Sequence, residues 1–192
     1  MNIINKAMVF AATKHNGQTR RDKSPYIWHP MEVARMLRGA GYDEICQVAG
    51  LLHDTIEDTG TTYEEIEAEF GSEVAKVVDR LTKKANIPEE DYIAAILNDE
   101  RAKAVKNCDR LHNLWECIHQ GTPGTMRTPQ QQKFAEKYVK ESRKLFYGRF
   151  SLAMDKAIAK AEDELSDPLI RDVLWYETKD ISLYESKTVD KI

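Results

Sequence analysis

Apolar residues recur at helical spacing along almost the whole of this 192-residue chain. The first such stripe comprises Ile3, Ile4, Ala7, Met8 and Ala11. Later segments keep the same three- and four-residue period, which places their apolar side chains on one face of a helix. No segment shows the alternation of apolar and polar residues that is typical of a half-buried strand. The pattern therefore predicts an all-α fold.

Proline, glycine and capping residues divide these stripes into separate helices. Pro30 suits the first turn of a helix, and Thr62 with Glu65 fits a capping box at the start of another. We expect helices over residues 2–16, 30–39, 43–53, 62–70, 72–81, 88–97, 101–118, 129–147 and 151–165. A flexible loop is expected over residues 121–125 and a looser tail over 168–192.

Composition limits the classes of protein that the chain can represent. The hydrophobic share of 42% and the charged share of 31% are typical of one globular domain. A formal net charge of −4 argues against a nucleic-acid-binding polycation, and no apolar run approaches the roughly 18 residues that cross a bilayer. The cysteines, which lack CxxC spacing, are Cys46, Cys108 and Cys117. They favour reduced thiols and a cytoplasmic location.

One short segment carries far more ionisable groups than a buried helix normally holds. His53, Asp54, Glu57 and Asp58 directly follow the apolar pair Leu51-Leu52. Burying each charge costs several kcal/mol unless the group is paired or binds a metal. If the segment is helical, His53 and Glu57 are one turn apart, as are Asp54 and Asp58. Such a segment can hold a divalent cation beside carboxylates that perform acid–base chemistry.

Two further residues fit either a structural role or a place in the same site. Asp109 falls on the apolar side of its predicted helix, where it needs either an ion-pair partner or a metal. His29 precedes Pro30 at a helix start, where it either caps and packs or binds metal as a neutral imidazole. Packing or hydrogen bonding is expected for the remaining histidines, His15, His112 and His119.

Four sequence blocks, in this order, resemble the HD-domain phosphohydrolases. The blocks are Gly17–Arg21, Pro25–Pro30, Leu51–Thr59 and Asp109–Leu114. More closely, they resemble the hydrolase domain of the RelA/SpoT alarmone enzymes and its stand-alone small versions, the type of the metazoan SpoT homologue. The resemblance implies a helical bundle of about 8–10 helices. It places an HD hydrolase domain over residues 1–150, with its motifs in 1–120, and a C-terminal helix and tail over 151–192 that pack on or extend it.

The resemblance also implies a metal site and a catalytic pair. The family's metal ligands correspond to His29, His53, Asp54 and Asp109. Its acidic catalytic pair corresponds to Glu57 and Asp58. The metal in this family is usually Mn²⁺, here expected at one ion per chain. A mixed nitrogen and oxygen donor set also suits Fe²⁺ and Zn²⁺, so these ions stay open as alternatives.

The nucleotide-binding residues that the resemblance implies are Arg20, Arg21, Tyr26 and Asn113. Arg20 holds the position that contacts the base, since a planar guanidinium can lie flat on a purine. Lys83 and Lys84 are further candidates because a site with four carboxylates needs cations to attract a polyphosphate. The alternative for this lysine pair is a solvated helix end that complements the helix dipole.

The activity that the resemblance implies is hydrolysis of the 3′-pyrophosphate of ppGpp or pppGpp to GDP or GTP and pyrophosphate. Two alternatives remain open. One is the same chemistry on ppApp or on the 2′-phosphate of NADPH, and the other is a catalytically silent nucleotide-binding regulator. The expected partner is a small nucleotide rather than a nucleic acid or a membrane, and the oligomeric state is open.

The chain departs from its relatives in two respects. The run Asp22–Pro25 stands where relatives often carry Ser-Gly-Glu-Pro, which leaves the base preference open. No synthetase domain follows the hydrolase motifs in this sequence, so regulation by a synthetase domain in cis is not expected.

Overall fold

The computed structural model describes residues 1–118, 126–142 and 151–166, which form ten helices and no β-strand. The prediction of an all-α fold is therefore confirmed. The helices are α1 (Ile3–Lys14), α2 (Trp28–Gly39), α3 (Glu44–Leu52), α4 (Thr55–Thr59), α5 (Tyr63–Phe70), α6 (Ser72–Leu81), α7 (Glu89–Leu97), α8 (Glu100–Ile118), α9 (Pro129–Ser142) and α10 (Ser151–Ser166).

Capping residues set several of these boundaries. The Asp43 carboxylate accepts a hydrogen bond from the Cys46 backbone N–H at 2.9 Å and begins α3. The Thr62 hydroxyl likewise accepts one from the Glu65 N–H at 3.2 Å and begins α5, as predicted. Helix α4 ends at Gly60, whose φ of 72° lies in the left-handed region that glycine adopts without strain.

The helix expected to run into His53 ends one residue earlier, at Leu52. His53 and Asp54 form a turn between α3 and α4, and α4 begins at Thr55. The Asp58 N–H still donates to the Asp54 carbonyl at 2.9 Å, so the one-turn spacing of these two residues survives the break.

Some predicted features lie outside the described residues. These are the loop over 121–125, the last residues of the helix predicted over 129–147, the tail over 168–192, and His119. Among the described segments, no helix is both long enough and apolar enough to cross a membrane.

The described chain divides into two compact units, of which the first comprises residues 1–38 and 42–109. In this unit α3 packs against α1 and α6, and α5 packs against α6. Fully buried apolar side chains of the core include Ala7, Ala11, Val33, Leu37, Val48, Leu51, Leu52, Ile66 and Val78. Ala7 and Ala11 fall on the first stripe that the sequence predicts.

Gly50 allows α3 to lie directly against α2. A Cβ atom at this position would stand 2.6 Å from Leu37 Cδ1, closer than real Cβ atoms approach, and 3.4 Å from Val33 Cγ1, an ordinary contact. The close contact of the two helices brings their chemically active residues together. The rings of His29 in α2 and His53 after α3 lie 5.2 Å apart between centroids.

The second unit comprises residues 39–41 and the described residues after 109. Helices α9 and α10 pack together in it, and the Gln132 amide donates to the Leu165 carbonyl at 2.9 Å. The Arg110 guanidinium lies over the ring of Tyr138, 4.3 Å from its centroid. The placement of one HD domain over 1–150 with an extension over 151–192 stays a prediction.

Candidate metal centre and active site

Four side chains from three parts of the first unit converge on one point. His29 comes from the first turn of α2, His53 and Asp54 from the turn after α3, and Asp109 from α8. Nε2 of His29 lies 3.3 Å from Asp109 Oδ1 and 3.6 Å from Asp54 Oδ2. Nε2 of His53 lies 2.9 Å from Asp54 Oδ2 and 3.9 Å from Asp109 Oδ1.

These separations fit ligands of one divalent cation. Two ligand atoms that each lie about 2.1 Å from a cation are about 3.0 Å apart at a right angle and about 4.2 Å apart on opposite sides. Nε2 of His53 makes no hydrogen bond to any described residue, although it is buried and lies 2.9 Å from a carboxylate oxygen. Nε2 of His53 is therefore available to bind a cation among these four side chains. Two imidazoles and two carboxylates suit Mn²⁺, Fe²⁺ or Zn²⁺.

The four candidate ligands differ in exposure. His29 is 1%, His53 3% and Asp109 5% exposed, whereas the Asp54 side chain is 23% exposed. The centre is therefore closed on the side of the two histidines and Asp109. Its open side is the side of Asp54, where Glu57 and Asp58 follow in α4.

Hydrogen bonds behind the ligands orient them. Nδ1 of His53 lies 2.9 Å from the Gly50 carbonyl oxygen, and a proton on Nδ1 leaves Nε2 free to bind metal. The Lys106 ammonium donates to Asp109 Oδ2 at 2.9 Å, so Oδ1 is the oxygen that faces the histidines. Lys106 was not anticipated from the sequence, although its position one helical turn before Asp109 was a usable signal.

Opposite charges dominate the proton affinities at this centre. Burial on its own raises the pKa of a carboxyl group, but His53 outweighs burial at Asp54 and lowers the pKa of that residue. Lys106 and His29 likewise hold the pKa of Asp109 well below its usual range despite burial. Burial lowers the pKa of His53, but Asp54 and Asp109 reverse this effect and raise it to about 9. A bound cation must displace that proton.

The acidic pair lies beside the ligands but is exposed to solvent. The Tyr26 hydroxyl lies 2.6 Å from Asp54 Oδ2 and 3.2 Å from Asp58 Oδ2, so a single phenol joins a ligand to the acidic pair. Glu57 is held differently, since its carboxylate accepts a hydrogen bond from the Lys83 backbone N–H at 3.0 Å. Both carboxylates can therefore reach a water molecule at the open side.

The predicted base-contacting residue lies over the ring of Tyr26. The Arg20 guanidinium is 5.3 Å from the ring centroid, within the range of a cation–π interaction. Arg21 is exposed on the following loop, which Thr19 and Pro25 close with an antiparallel β-bridge.

The other predicted substrate residues are two lysines that follow α6 and an asparagine in α8. The Lys83 ammonium pairs with Glu89, and the Lys84 ammonium pairs with Asp79 at 2.8 Å. Both ammonium groups thus have carboxylate partners, and their contact with substrate phosphate stays a prediction. Asn113 is half-buried on the part of α8 that belongs to the second unit. Its contact with a nucleoside stays a prediction.

The fold and the clustered ligands agree with what comparison with known families finds. Residues 7–140 match the HD domain, and the chain therefore belongs to the HD-domain family. HD-domain hydrolases bind a divalent metal, and His29, His53 and Asp109 form a possible site for one here.

Individual relatives indicate which enzymes with an HD domain this chain is similar to. The chain is 41% identical over 145 residues to a GTP pyrophosphokinase of Myxococcus xanthus, covering 68% of this chain and 19% of the relative. It is 44% identical over 119 residues to the guanosine-3′,5′-bis(diphosphate) 3′-pyrophosphohydrolase of Aquifex aeolicus. That match covers 58% of this chain and 17% of the relative. The chain thus spans less than a fifth of these curated relatives.

A solved structure is similar over nearly its whole length. It is a metazoan orthologue of SpoT that hydrolyses ppGpp. The sequence identity is 27% and the TM-score is 0.66, and the similarity covers 83% of this chain and 96% of the other. The similarity therefore extends to a protein of comparable size as well as to one region of large enzymes.

Proposed function

We propose that this protein hydrolyses the 3′-pyrophosphate of ppGpp and pppGpp, releasing pyrophosphate and GDP or GTP. The observation that carries the proposal is the convergence of His29, His53, Asp54 and Asp109 beside an exposed acidic pair. The relatives named for this hydrolysis support the choice of substrate.

Mn²⁺ is the proposed ion, at one per chain, and the four converging side chains are its proposed ligands. A nitrogen and oxygen donor set without thiolate favours Mn²⁺, Fe²⁺ and Zn²⁺ over softer ions. When bound, the cation makes phosphorus a better electrophile and lowers the pKa of water, so that hydroxide is available at neutral pH.

Glu57 and Asp58 are the proposed groups that move protons. Water attacks the phosphorus that carries the ribose 3′-oxygen, and the bond from phosphorus to that oxygen breaks. The two carboxylates orient the water, accept its proton and pass a proton to the departing 3′-oxygen. Their exposure on the short helix α4 supports this role because both water and substrate must reach them.

Arg20 and Arg21 are the proposed cationic contacts of the nucleotide. Arg20 over the Tyr26 ring presents a flat guanidinium on which a purine can stack. Stacking accepts guanine and adenine alike, so the proposal for guanine rests on the named relatives. Tyr26, Lys83, Lys84 and Asn113 keep their predicted substrate roles, and a cytoplasmic location stays a prediction as well.

Product identification tests the proposal directly. The purified chain is loaded with Mn²⁺, incubated with ppGpp, and its products are separated by anion-exchange chromatography. We expect GDP and pyrophosphate in equal amounts, and we expect a chelator to stop their release. The variant Asp91→Ala, which changes an exposed residue in the first turn of α7, serves as the control and should keep full turnover.

Parallel reactions with ppApp and NADPH separate the alternative substrates. Faster release of pyrophosphate from ppApp, or release of phosphate from NADPH alone, would assign the same chemistry to another nucleotide. Binding of ppGpp without any product from the Mn²⁺-loaded chain would contradict hydrolysis and favour the regulatory alternative.

A further inference from the structure

We infer that Tyr26 is a positioning residue whose hydroxyl holds the ligand Asp54 and the acidic residue Asp58 in a fixed arrangement. This role rests on the proposed function, which makes Asp54 a metal ligand and Asp58 a proton-transfer group. It differs from the predicted role of Tyr26, which was to line the nucleotide pocket.

The hydroxyl lies between the two carboxylates. Its oxygen is 2.6 Å from Asp54 Oδ2 and 3.2 Å from Asp58 Oδ2. Oδ2 is the same Asp54 oxygen that lies 2.9 Å from Nε2 of His53, so the phenol contacts the atom that faces the metal centre. At Asp58 the phenol contacts one oxygen.

Asp54 and Asp58 need such a donor because their charges repel. They are like charges one helical turn apart, an arrangement that opposes helix formation. The Asp54 side chain makes no capping hydrogen bond to the first turn of α4, so α4 itself does not fix its orientation. One O–H between the carboxylates stabilises both and limits the rotation of each about its side-chain bonds.

The ring of Tyr26 is itself held in place. The buried imidazole of His15 stacks on it, with centroids 4.5 Å apart and 25° between the planes. The Gln18 amide donates to the Asp58 carbonyl oxygen at 2.8 Å. Because that oxygen only accepts, Oε1 of Gln18 is free to accept from Nδ1 of His15, also at 2.8 Å.

These contacts tie the phenol and the main chain of Asp58 to one segment. The Tyr26 N–H donates to the Gln18 carbonyl at 3.1 Å, so the residue that binds the Asp58 carbonyl also fixes the backbone of Tyr26. Asp58 is therefore held twice, at its carbonyl by Gln18 and at its carboxylate by Tyr26.

The variant Tyr26→Phe tests the role because it removes the hydroxyl and keeps the ring that contacts His15 and Arg20. We expect kcat for ppGpp to fall about 10–100-fold, Mn²⁺ to bind about 10-fold more weakly, and KM to change little. Tyr63→Phe is the matched control, since the Tyr63 hydroxyl lies 3.4 Å from Glu67 on the exposed face of α5. Calorimetry gives the Mn²⁺ affinity and steady-state kinetics give the other two constants.

Two outcomes overturn the role. A higher KM with unchanged kcat and Mn²⁺ affinity would show that Tyr26 only contacts the nucleotide, and kinetics equal to the wild type would show that the hydroxyl is dispensable. Tyr26→Leu, which also removes the surface beneath Arg20, should raise KM in addition to the losses of Tyr26→Phe. If the wild type does not hydrolyse ppGpp, the proposed function fails, while the Mn²⁺ affinity of Tyr26→Phe still decides whether Tyr26 positions Asp54.

Discussion

The buried ligands and the exposed acidic pair are held in place by different means. His29, His53 and Asp109 are almost inaccessible to solvent, and they lie in or next to helices that contribute apolar side chains to the core. Glu57 and Asp58 are exposed on the five-residue helix α4 and depend on hydrogen bonds from Lys83 and Tyr26. Packing of the core therefore fixes the candidate metal ligands, whereas a few polar contacts orient the proposed proton-transfer groups.

The largest expected effect comes from removing a buried ligand. Asp109→Ala should weaken Mn²⁺ binding by more than about 100-fold and abolish turnover, because the remaining ligands no longer enclose the cation. Elemental analysis of the purified variant measures the metal content, and circular dichroism checks that the helices persist. Asp109→Asn keeps the size of the side chain and should lose metal in the same way. A stoichiometric metal content in either variant would refute the assignment of this ligand.

A change in the exposed pair should separate chemistry from binding. Glu57→Gln removes a proton acceptor and keeps the shape of the side chain, so kcat should fall about 100-fold or more while Mn²⁺ and ppGpp still bind. Rapid-quench kinetics measures the chemical step, and calorimetry measures both affinities. Glu64→Gln, on the exposed side of α5, is the matched control. Full turnover by Glu57→Gln would remove this residue from the proton pathway.

Lys106 is a partly exposed residue whose positive charge compensates the buried carboxylate of Asp109. Lys106→Met removes the cation that donates to Asp109 Oδ2 in the metal-free protein and should lower the free energy of unfolding by about 3 kcal/mol. Saturating Mn²⁺ should remove most of this difference, because the cation then compensates the carboxylate. Urea unfolding with and without metal measures both values. Lys137→Met, which breaks the exposed pair with Glu141, should change little. An equal loss with and without metal would contradict this role of Lys106.

The smallest effect is a pH dependence of the buried centre. The pKa of His53 in the metal-free protein is raised from 6.5 to about 9, so its proton stabilises the fold fully below pH 6.5, and this stability is lost as the pH rises through about 9. Mn²⁺ needs the neutral imidazole and should release about one proton on binding at about pH 7.5. Calorimetry in two buffers of different ionisation enthalpy measures this number. A binding heat that does not depend on the buffer would contradict it.

Much of the fold followed from local pattern. Apolar periodicity predicted the all-α class, and the capping box of Thr62 predicted the start of α5. The break between α3 and α4 was not predicted, because the residues from Leu51 to Thr59 contain neither glycine nor proline. In the structure, Asp54 of that turn contacts Tyr26 and His53 lies near Asp109, and tertiary contacts of this kind can override local helix preference.

The candidate site divides in the same way. The sequence by itself determined which residues were chemically unusual. One imidazole and three carboxylates follow an apolar run, and burying so many ionisable groups without partners or a metal would be costly. Only the tertiary structure decided that His29 and Asp109 lie close to His53. It also decided which polar residues contact the candidate site: Lys106 contacts Asp109, Tyr26 contacts Asp54, and Gln18 contacts the Asp58 carbonyl. The physical reason is distance along the chain. Local pattern records which face of a helix is buried, but the packing of separate helices determines which side chains meet there.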